Sequence, residues 1–501
     1  MPMKKLFVIA LILALCLPAL AGCGDAVIGQ LPAAPTAGVE EGQSVQNAPI
    51  QSGGVTDIVL NGASASVTGG GAAVDGAVIR INSPGEYSVS GALDGGRIVV
   101  DTGEVKGNVT LKLNGAEIRC PDGPAILVEQ VKNFYLETEK DSFNRLVSGT
   151  EGVLPADKQE GAVLFSEDDV ILRGAGELEI RGWLNNGITC KDDLEIESGT
   201  ITVSAVNNGV KGSESVTVSG GRLFVTAGND GIKSTSVKKE GKGFVELSGG
   251  SVTVVAAGDG VAAESWLKVS GGTVDVTTDG DPETRSCKGL KARTMLELSG
   301  ADVTLSCTDH AVHSAADLLV SGGTLRVNSS AGKGLSAHGA LDLTGGTLDV
   351  VSANDGLSGV RSVSITGGTA DIFSREDGVK AGASGAAGSF RLTGGTVTIS
   401  AYKDVFDAKG GAVITGGSLV GVGTSKNPQN FSRESSQYSL LFVFSGGEGE
   451  EAEVSYDEDN ALVGLIVGRC GYTYAIYAVP DLVPGSYHLS CGTLSAPASV
   501  G

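Results

Sequence analysis

A short phrase that recurs about every 22 residues constrains this chain more than any other feature. It consists of a polar residue, usually Gly, an aliphatic residue and a small or basic pair, as in NNGVK around Asn208 and NDGLS around Asp355. Successive copies are separated by 22, 22, 29, 29, 22, 23, 22, 22 and 27 residues, and the long intervals contain the insertions KKEGKG, DPETR and SGAAG. Units this small cannot bury an apolar face alone and must stack. The polar positions are Asn186, Asn208, Asp230, Asp259, Lys288, His310, Lys333, Asp355, Asp377 and Asp404.

A second phrase, S/T-G-G-T followed by alternating apolar residues, keeps step with the first and predicts a strand, as at 346–350. Another short alternation precedes it, as at 341–343, and the first phrase supplies a third strand. Three strands and three turns in about 22 residues predict one coil of a single-stranded parallel β-helix. The usual handedness of parallel crossovers predicts a right-handed coil. We expect the aliphatic row to be core: Ile188, Val210, Ile232, Val261, Leu290, Val312, Leu335, Leu357, Val379 and Phe406.

The chain divides into five predicted segments. Lys4 and Lys5 precede an apolar run that ends in Leu-Ala-Gly-Cys, which predicts a lipoprotein signal peptide over 1–22 and lipidation of Cys23. A plain secretory signal is the alternative. We then expect a flexible linker over 23–56, an N-terminal cap with irregular first coils over 57–180, regular repeats over 181–424 and an antiparallel C-terminal β cap over 425–501. A lipid anchor places the protein on the extracellular face of the cytoplasmic membrane in a Gram-positive cell.

The composition narrows the classes of partner. A net charge of −22 argues against nucleic acid, which needs a basic patch. An acidic surface suits a hard cation such as Ca²⁺, although it also serves solubility alone. Within the mature chain, no close-spaced cysteine pair predicts a metal site, and a Cys470–Cys491 disulfide is left open. We expect a monomer.

Acids in the recurring phrase are the candidate metal ligands. Stacked coils bring equivalent residues to about 4.8 Å, close enough for neighbouring carboxylates to share one Ca²⁺. The alternative is that Asn-Gly and Asp-Gly are preferred turn residues, because both tolerate positive φ. The candidates are Asp230, Asp259, Asp355, Asp377 and Asp404, with Asn229, Asn354 and Glu376 beside them.

Lysines three residues beyond the polar position are the candidate ligand-binding groups. Such a row can hold the carboxylate of a uronic acid, or it can neutralise the neighbouring aspartates. These lysines are Lys211, Lys233, Lys291 and Lys380.

The series AVLFSEDDVILRGAGELEIRG, NNGITCKDDLEIESGTITV and NNGVKGSESVTVSGGRLFVTAGNDGIKS, with the late VPDLVPGSYHLSCG, resembles a carbohydrate-binding β-helix family first described from cellulolytic clostridia. The resemblance covers roughly 57–492. It implies a pectate-lyase-like fold on the cell surface that binds calcium, cellulose and acidic sugars. It also implies calcium positions at Asp230, Asp259, Asp355 and Asp377, whereas Asn185–Asn186, Asn207–Asn208, Lys288, His310 and Lys333 depart from an acidic row.

Three functions remain open at this point. The first is a calcium-dependent, non-catalytic lipoprotein that binds polysaccharides such as cellulose or polygalacturonate. The second is a calcium-dependent polysaccharide lyase of the pectate type, with Lys233, Lys291 or Lys380 as the base. The third is a structural adhesin that uses the rod as a spacer.

Overall fold

The computed structural model describes residues 54–152 and 161–500, and within these two ranges every regular element is a strand. The predicted signal peptide, Cys23 and nearly all of the predicted linker lie outside the described residues. A search of the described part finds no helix long and apolar enough to cross a membrane.

Successive coils contribute strands to three rows that run along the molecule. Row 1 is a 15-stranded sheet of Ala72–Asp75, Val78–Ile81, Arg97–Asp101, Ile126–Gln130, Ala162–Ser166, Asn186–Cys190, Val210–Gly212, Ile232–Ser234, Val261–Ala263, Leu290–Ala292, Val312–Ser314, Leu335–Ala337, Leu357–Gly359, Val379–Ala381 and Phe406–Ala408. Row 2 contains Asn133–Thr138, Val170–Gly174, Asp193–Ile196, Ser215–Val218, Phe244–Leu247, Trp266–Val269, Met295–Leu298, Asp317–Val320, Ala340–Leu343 and Ser362–Ile365. Row 3 contains Phe143–Ser148, Glu177–Gly182, Thr200–Ala205, Arg222–Ala227, Ser251–Ala256, Thr273–Thr278, Asp302–Cys307, Thr324–Ser329, Thr347–Ser352 and Thr369–Ser374.

Rows 2 and 3 belong to one 28-stranded sheet because long strands near both ends run through the two rows. These strands are Gly85–Asp94, Asn108–Cys120, Ser389–Ala401 and Ala412–Gly423. Equivalent strands of neighbouring coils pair in parallel, as with Thr347 opposite Thr369 in row 3. The protein is therefore a right-handed, single-stranded parallel β-helix, as the 22-residue period predicted.

The predicted aliphatic row forms the centre of the core. Val210 lies opposite Ile188 and Ile232 in adjacent coils, and every member of the row from Ile188 to Phe406 is buried, with at most 1% exposed. Row 3 alternates buried and exposed residues, as in the pattern of Thr347–Ser352, because side chains of a strand point to opposite faces. This part of the prediction is confirmed.

Antiparallel strands close both ends of the helix. At the start, Thr56–Gly62 pairs with Ala65–Thr68, and Ala72–Asp75 pairs with Val78–Ile81. At the end, Tyr472–Ala478 pairs antiparallel with the last long strand and with Leu440–Gly446. The chain finishes in a four-stranded antiparallel sheet of Glu451–Tyr456, Ala461–Val467, Gly485–Cys491 and Leu494–Val500.

The C-terminal cap is attached to the last coil by a specific contact. The Tyr474 hydroxyl accepts a hydrogen bond of 2.7 Å from the Val405 amide, which would otherwise be a buried unpaired donor. Cys470 and Cys491, for which a disulfide was left open, are both free thiols. The cap is therefore held by sheet pairing and apolar contacts rather than by this cross-link.

Candidate functional site

The polar residues of the recurring phrase stand directly before, or at the start of, the row 1 strands and form what we call the polar ladder: Asn186, Asn208, Asp230, Asp259, Lys288, His310, Lys333, Asp355, Asp377 and Asp404. From Asn186 to Asp259, and again at Asp355 and Asp377, the side chain of one rung accepts a hydrogen bond from the backbone amide of the next. The distances are 3.1 Å from the Asn208 amide to Asn186 Oδ1 and 2.9 Å from the Asp259 amide to Asp230 Oδ1. His310 departs from the pattern, since its Nδ1 lies 2.8 Å from Asp309 Oδ1 and donates to that carboxylate. The ladder therefore satisfies buried turn amides from coil to coil.

Positive φ does not explain the polar residues. Among the described residues, only Asp141 and Asn460 are non-glycine residues with positive φ, and neither is a rung. The glycine after the rung also has no positive φ at, for example, Gly356. The turn-preference explanation is therefore wrong for the ladder, and the hydrogen bonds between coils replace it.

Lysine ammonium groups neutralise the four central aspartates, which are 2% to 7% exposed. Asp230 pairs with Lys233 at 2.5 Å, and Asp259 pairs with Lys291 at 2.7 Å. The remaining pairs are Asp355 with Lys333 at 3.0 Å and Asp377 with Lys380 at 2.6 Å. The lysines are a quarter to two-fifths exposed, so each buries its stem and reaches inward to an acid.

The other predicted metal ligands also have protein partners. Asn229 donates to Asn208 Oδ1 at 3.1 Å, and Asn354 Oδ1 accepts from the Asp355 amide at 2.8 Å. Glu376 pairs with Lys403. Asp404 is the exception, because its Oδ1 is buried without a hydrogen-bond partner. Burial, with the nearby charges of Asp377 and Asp407, raises the pKa of Asp404.

These residues do not fit a calcium ion as they stand. Both oxygens of Asp230, of Asp259 and of Asp377 face a backbone amide or an ammonium group, so calcium would have to displace a lysine. Across residues 54–152 and 161–500, no group of three or more His, Cys, Asp or Glu side chains is arranged to hold a metal ion.

The lysines are also poorly suited to remove a proton. Burial alone would lower the pKa of Lys291, but the charge and hydrogen bond of Asp259 outweigh it, and the pKa is raised. For Lys380 the burial effect is likewise outweighed by Asp377 and Asp355, and its pKa is raised. A general base needs a pKa near the working pH, so these two ammonium groups favour anchoring over catalysis.

A cavity of about 110 Å³ lies at the amide end of the ladder. Its described lining contains four amides and two ammonium groups but no carboxylate, and comprises Phe165, Asn185, Asn186, Thr189, Lys191, Asn207, Asn208 and Lys211. At roughly 10 to 15 Å³ for each water, the space accommodates several waters. We refer to it as the amide cavity.

Hydrogen bonds between adjacent coils hold the amides of this cavity in place. Asn208 Nδ2 donates to Asn186 Oδ1 at 3.0 Å, and Asn186 Nδ2 donates to the Thr189 hydroxyl at 3.0 Å. Asn207 Nδ2 donates to Asn185 Oδ1 at 2.6 Å. The Lys191 ammonium lies 5.6 Å from the centre of the Phe165 ring, a cation–π contact. The cavity is thus a preorganised set of amides beside two positive charges.

Of the predicted ligand-binding lysines, only Lys211 lines this cavity, while Lys233, Lys291 and Lys380 bind ladder aspartates. Sequence reasoning missed Lys191 and Phe165, and it treated the asparagine pairs only as departures from an acidic row. A signal was available, since two consecutive coils both carry Asn-Asn where later coils carry acids.

Fold and cavity together define a stacked-coil scaffold with a cavity lined by asparagines and lysines. A family model described as carbohydrate-binding domain-containing protein matches residues 75–331 and 312–440, well over half of the chain. The chain belongs to this carbohydrate-binding family, as the resemblance predicted.

Two related proteins place the match in context. A carbohydrate-binding domain-containing protein of Acetivibrio thermocellus is 32% identical over 129 residues, which is 25% of this chain and 45% of that protein. The match thus spans less than half of that relative. A solved structure, the gadolinium derivative of a polysaccharide lyase-like protein from C. thermocellum, aligns at 29% identity over 50% of this chain and 96% of that chain, with a TM-score of 0.43.

Proposed function

We propose that this protein binds polysaccharide without cleaving it and that the amide cavity holds one sugar unit of the chain. The observation that carries the proposal is the lining of the cavity, where fixed asparagine amides stand beside Lys191 and Lys211. Amides donate to and accept from sugar hydroxyls, and an ammonium group pairs with a carboxylate. The proposed ligands are plant cell-wall glycans, with an acidic chain such as polygalacturonate favoured over neutral cellulose.

Rigid sugar binding suits this scaffold. The cavity lining comes from adjacent row 1 strands and the turns beside them, and these are tied together by hydrogen bonds between coils. A site built on paired strands loses little conformational freedom when a ligand arrives, so more of the contact energy appears as affinity.

The alternative of a polysaccharide lyase receives less support. The lysines named as bases form ion pairs with aspartates, and the pKa values of Lys291 and Lys380 are raised. Lyase action would produce an unsaturated uronate with strong ultraviolet absorbance. The proposal therefore expects no rise in absorbance when purified protein is incubated with pectate and calcium.

Calcium dependence and the lipid anchor remain parts of the proposal. With a net charge of −22, a divalent cation is a reasonable bridge between the protein surface and an acidic glycan, away from the ladder. Anchoring through Cys23 would place the protein on the extracellular face of the cytoplasmic membrane. Replacing Cys23 with Ala is expected to abolish incorporation of labelled fatty acid into the protein, whereas wild-type protein should be labelled.

Affinity gel electrophoresis tests the binding proposal. The protein is run through gels that contain polygalacturonate, a soluble cellulose derivative or no glycan, each with calcium and with EDTA. We expect retardation in polygalacturonate, with weaker retardation in cellulose, and a smaller effect in EDTA. Equal mobility in every gel would exclude polysaccharide binding and leave the spacer role.

A further inference from the structure

The ammonium group of Lys380 lies among carboxylates from three consecutive coils. Its Nζ is 2.6 Å from Asp377 Oδ2, 3.7 Å from Asp355 Oδ1 and 3.9 Å from Asp407 Oδ2. The first two acids are nearly fully buried, with side chains 5% and 3% exposed. A single positive charge at the centre of stacked acids is the arrangement that a divalent cation would otherwise adopt.

The same replacement recurs along the ladder. Lys333, which itself occupies a rung, reaches the acid of the next coil, Asp355, at 3.0 Å and the Ser358 hydroxyl at 2.8 Å. Lys288, another rung, binds Asp309 on the next coil at 2.6 Å. Lys333 therefore supplies a countercharge to the ladder itself, whereas Lys288 neutralises Asp309, the residue before the rung His310.

We infer that covalently attached lysines, rather than calcium, neutralise the buried carboxylates of the ladder, and that the Lys380 position is a latent divalent-cation site. A buried carboxylate needs a countercharge because its desolvation is costly. A tethered ammonium supplies that charge at every calcium concentration, whereas a bound ion does so only above its dissociation constant. The stability of the wild-type ladder is consequently independent of metal. Removing one ammonium group makes that stability depend on metal.

Thermal unfolding of the Lys380→Met variant, in EDTA and in millimolar CaCl₂, tests the inference. We expect wild-type protein to have the same Tm in both conditions. Lys380→Met leaves buried acids uncompensated, and we expect its Tm in EDTA to fall by roughly 3 to 5 °C. Calcium should restore most of the lost Tm. In EDTA, the double variant Lys380→Met/Asp377→Asn should be more stable than Lys380→Met, because it lacks one of the uncompensated acids.

Lys268→Met is the matched control, because Lys268 forms a partly exposed ion pair with Glu297 at 3.2 Å in row 2. Calcium should not change the Tm of this variant. The inference is wrong if EDTA lowers the Tm of wild-type protein and Asp355→Asn/Asp377→Asn abolishes that response. It is also wrong if calcium restores nothing to Lys380→Met. If Lys380→Met does not fold, the wild-type comparison decides alone. None of these readouts involves glycan, so the binding proposal stands or fails separately.

Discussion

Gly356 shows how closely the coils constrain a single residue. A Cβ at this position would lie 2.3 Å from Ile372 Cγ2 and 2.7 Å from the Gly378 carbonyl oxygen, and both atoms belong to paired strands or the turns beside them. The corresponding glycines of several other coils, such as Gly209 and Gly260, meet a valine methyl and a carbonyl oxygen in the same way. Gly346 is different, since its φ of 87° makes a turn. The repeat therefore uses glycine for two separate reasons, close packing and backbone conformation.

Gly356→Ala is predicted to destabilise the protein by roughly 2 to 3 kcal/mol, because the added methyl overfills a packed core. Denaturant unfolding of the variant and of wild-type protein measures the difference. Gly471→Ala is the control, since a Cβ there meets only the Gly446 carbonyl oxygen at 3.7 Å and φ is not positive. An unchanged midpoint for Gly356→Ala would show that the coils can separate at little cost.

The insertion KKEGKG, at 238–243, forms ion pairs with residues of the preceding coils. Lys242 pairs with Asp193 at 2.6 Å and with Glu214 at 3.2 Å, and Lys239 also pairs with Glu214. Burial, together with the hydrogen bond and charge of Glu214, raises the pKa of Asp192 to about 6. Ionisation of Asp192 therefore lowers the stability of the folded protein.

The raised pKa of Asp192 predicts a specific dependence of stability on pH. Its folded pKa lies above the unfolded value, so its stabilising effect is fully present below about pH 4 and is lost as pH rises through about 6. Asp192→Asn is therefore expected to be more stable than wild-type protein at neutral pH, by up to about 1 kcal/mol after solvent screening, and to lose this advantage near pH 4.

Urea unfolding at acidic and at neutral pH gives this comparison. Asp275→Asn removes an exposed carboxyl from row 3 and serves as the control for a general loss of negative charge. A constant difference between Asp192→Asn and wild-type protein at both pH values would rule out titration of Asp192 as the cause.

Sequence predicts those elements that repeat and misses those that occur once. The row from Ile188 to Phe406 was predictable because the inward position returns in every coil. Phe165 and Lys191 were not, because Phe165 belongs to a coil before the regular phrase and Lys191 lies outside its fixed positions. The lysine pairs were foreseen only as one of two alternatives. Spacing places a lysine near an acid, but the reach of its side chain decides which acid it binds.

The net charge of −22 does not show how charged and uncharged residues are distributed along the molecule. The ladder changes along the rod from amides at Asn186 and Asn208 to paired acids and lysines from Asp230 onward. The amide end has a cavity whose described lining includes four asparagines and two lysines. We therefore propose that one end of the ladder recognises glycan and that the rest holds the coils together.

Isothermal titration calorimetry with an oligogalacturonide tests that assignment most directly. Wild-type protein is compared with Lys211→Met, from the cavity, and with Lys268→Met, from row 2. Losing one charge-assisted hydrogen bond to a carboxylate is expected to weaken binding about tenfold to a hundredfold in Lys211→Met, with Lys268→Met unchanged. If Lys211→Met binds the oligogalacturonide as tightly as wild-type protein does, the amide cavity is not the glycan site.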